Sequence, residues 1–119
     1  MAKGFLTTHV LDTSLGIPAV GLSISLYRLD SGSQTKISQM ITNNDGRTET
    51  PILPESQFKL GCYELFFYAG AYFDSMDIRS GMPRFLDEIP IRFGISEINS
   101  HYHVPLLLSP FGYSTYRGS

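Results

Sequence analysis

Residues 20–29 constrain the fold more than any other part of the sequence. Val20, Leu22, Ile24 and Leu26 share one parity, and Gly21, Ser23, Ser25 and Tyr27 share the other. Successive side chains of a strand point to opposite faces, so this period of two predicts a strand with one face buried and one face wet. Ser31, Gly32 and Ser33 supply turn chemistry before a return strand over residues 36–42, which ends in Asn43, Asn44, Asp45 and Gly46. A hairpin that can bury only one face needs a second layer to bury it against.

The rest of the chain repeats the pattern. Residues 5–11 place Leu6 and Val10 on one face. In residues 61–69 apolar side chains fall on both faces, Tyr63, Leu65 and Phe67 against Cys62, Phe66 and Tyr68, so both should be covered, the second by a helix or another subunit. Tyr72, Phe73 and Met76 have helical spacing, which predicts one short helix of two or three turns between Gly70 and Gly81. Ile89, Ile91, Phe93 and Ile95 alternate again, as do Tyr102, Val104, Leu106 and Leu108. Pro105 cannot donate to a ladder, which predicts an edge or a bulge at that point, and residues 109–112 turn the chain into a last strand. About seven short strands and one helix are expected, packed as an all-β, two-sheet antiparallel β-sandwich.

A chain of 119 residues suits one domain, 1–119, because a second core would leave each half too small. Apolar residues make up 42% and charged residues 17%, enough to bury a core and too apolar for disorder. A formal net charge of −2, with no run of three Lys or Arg, gives no footprint for nucleic acid or an anionic membrane. The lone Cys62 can form no intramolecular disulfide and, in an apolar run, reads as a buried, inert thiol. No stretch approaches the roughly 18 apolar residues of a membrane span. A cytoplasmic protein is the expectation, or a peroxisomal one in a eukaryote, although the Arg-Gly-Ser ending is not the Ser-Lys-Leu address.

Chemistry can reside in few places. The three histidines are His9, His101 and His103, and a neutral imidazole is the usual proton acceptor near neutral pH. The alternation leaves His9 with Thr7 opposite Leu6 and Val10, and His103 opposite Tyr102 and Val104, so both point away from the interior. An ordinary surface histidine has the same pattern. His101 and His103 at i, i+2 could chelate zinc with His9, but the spacing is nonspecific and no Cys or carboxylate completes it, so neither a metal nor a cofactor is expected. Arg47 follows a turn sequence and would offer a fixed fork of donors to an anionic or carbonyl-rich planar ligand, or be a solvated turn residue. The carboxyl end, Tyr113 to Ser119, is dense in donors where termini are usually weakly patterned; its plain alternative is an edge strand. Serine elbow, phosphate loop, dinucleotide fingerprint and paired carboxylates are absent, which removes support for covalent serine catalysis, nucleotide use and glycosidase chemistry.

Three ordered motifs carry a resemblance. Leu6-Thr7-Thr8-His9-Val10-Leu11-Asp12 with Gly16, Pro18 and Ala19 resembles the amino-terminal signature of the 5-hydroxyisourate hydrolases of the transthyretin family. Thr42-Asn43-Asn44-Asp45-Gly46-Arg47 is similar to the second motif. The third is matched by Tyr102-His103-Val104-Pro105-Leu106-Leu107-Leu108-Ser109-Pro110 leading into Tyr113-Ser114-Thr115-Tyr116-Arg117-Gly118-Ser119. The ending Tyr116-Arg117-Gly118-Ser119, with His9 and His103, matches the enzymes and not the hormone-carrying transthyretins. Ser14 and Leu15 before Gly16 depart from the pattern in a turn outside the motifs.

The resemblance implies a sandwich of about eight strands with one short helix, assembled as a homotetramer, a dimer of dimers, with sites where dimers meet. It implies hydrolysis of 5-hydroxyisourate by water without a cofactor. His9, Arg47 and His103 would be catalytic, and His9, Arg47, Ser114, Tyr116, Arg117, Gly118 and Ser119 would bind substrate. The competing readings are a tetrameric carrier of a small aromatic ligand, against which these residues argue, and a sandwich module for protein interaction.

Overall fold

A computed structural model describes residues 4–78 and 81–118. Eight strands and one helix follow in the order β1 (Phe5–Asp12), β2 (Ile17–Pro18), β3 (Ser23–Asp30), β4 (Ser33–Ile41), β5 (Gly61–Tyr68), α1 (Ala69–Ser75), β6 (Glu88–Ile95), β7 (His101–Ser109) and β8 (Gly112–Thr115), with one 3₁₀ turn at Glu55–Gln57. One sheet runs β2-β1-β7-β8 and the other β4-β3-β5-β6. They pack face to face with the core between them. Leu6 and Val10 of β1, Leu106 and Leu108 of β7, and Leu26 and Leu65 of the facing sheet are fully enclosed. Each such side chain contributes about 1.5–3 kcal/mol of burial.

The two-sheet expectation is met, with informative differences. All pairings are antiparallel except β1 with β7, which run parallel in register from Phe5↔His101 to Asp12↔Leu108. Parallel neighbours need a long crossover, here supplied by the whole intervening sheet. The two-residue β2 carries too little pattern to have been foreseen. The strand expected over residues 20–29 begins only at Ser23, because Gly21 turns the chain at φ 77° and leaves Val20 exposed. Pro105 lies in an inner strand rather than at an edge. Its missing N–H nevertheless faces an interruption: main-chain pairing with β8 stops at Leu106↔Thr115 and resumes at His103↔Gly118, while the Thr115 hydroxyl donates to the Pro105 carbonyl at 2.7 Å.

Cys62 corrects the sequence reading. It lies on the outer face of β5 and is exposed rather than buried, because Tyr63, Leu65 and Phe67 hold the inward parity. The helix does not cover that outer face either. Instead α1 inserts Tyr72 and Phe73 into the core, and the Tyr72 hydroxyl donates to Asp12 Oδ2 at 2.7 Å. Asp12 is fully buried at the end of β1, and its Oδ1 accepts from the Ser14 amide, the Ser14 hydroxyl and the Leu15 amide. Those four bonds anchor the strand that carries His9.

Candidate functional site

The parallel pairing of β1 with β7 determines which side chains share a face. Partners Thr7↔His103 and Phe5↔His101 are in register, and on β1 the inward positions Leu6, Thr8, Val10 and Asp12 leave Phe5, Thr7 and His9 outward. His101 and His103 take the same outward face of β7. The His9 and His103 rings therefore stand with centroids 6.4 Å apart, tilted by 33°. Both face outward, as their opposition to Leu6, Val10, Tyr102 and Val104 predicted, and both are half-buried.

Arg47 enters from the far side of β1, opposite His9 in an antiparallel bridge. The turn that delivers it is closely specified. Asn43 Oδ1 accepts the amides of Asp45 and Arg47, and the Gly46 carbonyl accepts the Val10 amide at 2.8 Å. Gly46 has φ 75°, and a Cβ there would meet the Val10 carbonyl oxygen at 2.4 Å, so any other residue would push Arg47 away from β1. On the opposite flank, the Gly118 amide donates to the His103 carbonyl at 2.7 Å, and a Cβ on Gly118 would sit 2.7 Å from His103 Cδ2. Glycine at 118 lets the carboxyl end lie against the imidazole.

Electrostatics set the protonation of the pair. Burial, then the Arg47 guanidinium, holds His9 below its ordinary value, with the Asp45 backbone and carboxylate pulling the other way. His103 is lowered by burial first, then by Arg47, His101 and His9. Two imidazoles kept neutral beside a cation can accept protons, and the guanidinium can receive an electron-rich group.

Within one chain the structure brings together His9, Arg47, His103 and Gly118. Ser114 pairs with Leu107, on the histidine face but four residues further along β7, about 13 Å at the usual strand rise. Arg117 lies over the Tyr102 ring, 3.9 Å from its centroid, on the side of β7 opposite His103. With Tyr116 it borders a cleft of about 250 Å³ between β6 and the carboxyl end, lined also by Phe93, Tyr102, Val104 and Thr115. Ser119 lies outside the described residues. Among those residues no group of three His, Cys, Asp or Glu is arranged to hold a metal ion. The residue that sequence reasoning passed over is Thr7, whose hydroxyl touches both His101 and His103. Its parity with His9 was the available signal.

Comparison with known proteins places the chain in a family. The chain is 56% identical over 117 residues, 98% of each chain, to "5-hydroxyisourate hydrolase 2" of Rhizobium meliloti. The solved 5-hydroxyisourate hydrolase of Klebsiella pneumoniae superposes with a TM-score of 0.80 at 35% identity, covering 97% of this chain and 99% of that one. An (S)-allantoin synthase gives a TM-score of 0.93 at 47% identity; the match covers 99% of this chain and 44% of that longer one. The profile of the HIUase/Transthyretin family matches residues 6–118, and the chain belongs to that family.

Proposed function

We propose that the chain is a hydrolase of 5-hydroxyisourate in urate breakdown, yielding 2-oxo-4-hydroxy-4-carboxy-5-ureidoimidazoline. The observation that carries the reading is the pair of neutral imidazoles 6.4 Å apart with Arg47 beside both. Water adds to C6, one imidazole takes its proton, and the pair delivers a proton to N1 as the C6–N1 bond breaks. General acid–base assistance of this kind is worth roughly 10²–10⁴-fold. Arg47 receives the charge that develops on the carbonyl oxygen, a contribution of similar size. No metal or cofactor is required.

The remaining substrate contacts come from Ser114, Tyr116, Arg117, Gly118 and Ser119, with residues 1–119 acting as one domain. The separation of Ser114 and Arg117 from His103 within one chain supports a site completed by a neighbouring copy, in a homotetramer built as a dimer of dimers. Exposed Leu15, Val20 and Phe111 on the flanking turns and Ile17 of β2 offer apolar surface for that assembly. Its place is the cytoplasm; among the described residues no helix is long and apolar enough to cross a membrane.

The test follows 5-hydroxyisourate absorbance, generated in place by urate oxidase, with chelator-treated wild type, His103→Ala and Arg47→Ala. Fast decay with wild type, lost in both folded variants, is the expected result. Decay at the spontaneous rate overturns the hydrolase and leaves a carrier of a small aromatic ligand.

A further inference from the structure

Thr7 occupies a position that the proposed chemistry does not yet use. Its Oγ1 lies 2.6 Å from His101 Nε2 and 2.8 Å from His103 Nδ1. A hydroxyl carries one hydrogen, and a neutral imidazole carries one N–H and one bare nitrogen. One hydrogen cannot serve both contacts, so at least one ring donates its N–H to the hydroxyl. O–H donors make shorter bonds than N–H donors, and the order of the two contacts agrees with a hydroxyl that donates to His101 Nε2 and accepts from His103 Nδ1–H.

Two further features fix this arrangement. The His101 ring stacks on Phe5 with centroids 4.2 Å apart and planes 15° apart, which holds its Nε2 toward Thr7. The carboxyl end lies against the second ring, where a Cβ at 118 would come within 2.7 Å of His103 Cδ2, and this limits rotation of the ring. With Nδ1 carrying the hydrogen, His103 Nε2 is bare.

Resting on the hydrolase reading, we propose that Thr7, oriented by His101, is a positioning residue that fixes His103 in the Nδ1–H tautomer. The bare Nε2 is then the proton acceptor for the attacking water. Partners that orient an imidazole from behind are worth on the order of 10–100-fold where it serves as a metal ligand, and a loss of that order is expected here.

The experiment combines ¹⁵N-histidine NMR with steady-state assay for wild type, Thr7→Val and Thr7→Ser, using His103→Gln to assign the signals. Wild type is expected to show His103 protonated on Nδ1. Thr7→Val keeps the β-branched shape but loses the hydroxyl. It should mix the tautomers and lower kcat about 10–100-fold with KM within about twofold, and Thr7→Ser should restore both readouts. A wild-type His103 protonated on Nε2, or a kcat for Thr7→Val within about twofold of wild type, overturns the proposal while the hydrolase stands. The nitrogen spectrum reads the tautomer with or without turnover, so an inert wild type counts against the hydrolase reading separately.

Discussion

The outer faces of the two sheets both carry polar side chains and treat them in opposite ways. On the β4-β3-β5-β6 sheet, Glu64 is nearly buried and accepts from Gln34 Nε2 at 3.0 Å and from Arg92 Nε and Nη2 at 3.3 Å. Beside it the buried Ser25 hydroxyl meets the Tyr68 hydroxyl at 3.2 Å. Charge is matched there and hydrogen bonds close on themselves. On the β2-β1-β7-β8 sheet, Arg47 stands by two histidines, and among the described residues no carboxylate forms an ion pair with it. A neutralised cluster stabilises a sheet face, whereas an uncompensated cation beside neutral bases favours a ligand that brings electron density.

Breaking the uncompensated face should cost activity and spare the fold. The largest effect is expected for His9→Gln, which keeps a polar side chain but supplies no titratable nitrogen. Turnover should fall roughly 10²–10⁴-fold while the thermal midpoint stays within a few degrees of wild type. Loss of folding along with activity would mean that His9 is structural and the contrast between faces is false.

A smaller effect sharpens the electrostatic half of the contrast. Both imidazoles are lowered from about 6.5, so the acid limb of kcat/KM should lie below that value and the rate should be flat near neutrality. Below the limb the rate should drop tenfold per pH unit. Unfolded histidines bind protons more readily than these two, so stability is also expected to fall as pH drops from 6.5 through the lowered values. Because Arg47 is the second cause of both shifts, Arg47→Ala should move the NMR titrations of His9 and His103 upward. Unmoved titrations would place the guanidinium elsewhere.

The sequence made the two-layer plan and the directions of His9 and His103 legible, because period-two alternation reports parity and parity reports face. It could not show that β1 lies parallel to β7, and that pairing is what sets His9 near His103, since register between partners 96 residues apart leaves no local signal. The turn before Arg47 was readable from Asn43 and Gly46, yet its seat against Val10 was not, because it depends on a carbonyl from another element. Cys62 was misjudged by composition: an apolar run does not say which side chain faces in. Thr7 was on the correct face but carried no assigned role, because a hydroxyl declares its role only through the partners that the fold brings to it.

Stability, not turnover, should respond on the matched side and at the anchor of β1. Tyr72→Phe removes the donor to a fully buried Asp12 oxygen, leaving an acceptor unpaired at a cost of about 1–3 kcal/mol in denaturant unfolding. The Tyr72 hydroxyl is held above its ordinary value by burial and by Asp12, so it should keep its proton and the bond through alkaline pH.

Arg92→Ala is the mildest test and the most discriminating between the two faces. The arginine side chain is 71% exposed while its partner Glu64 is 8% exposed. Solvent screens the arginine, so the pair is worth no more than about 1 kcal/mol, and Gln34 continues to hold the other carboxylate oxygen. The variant should therefore unfold at slightly lower denaturant and hydrolyse substrate at the wild-type rate. A large fall in kcat with unchanged stability would mean that the matched cluster communicates with the histidine face through the core. The contrast between a structural face and a reactive one would then have to give way to a single coupled network.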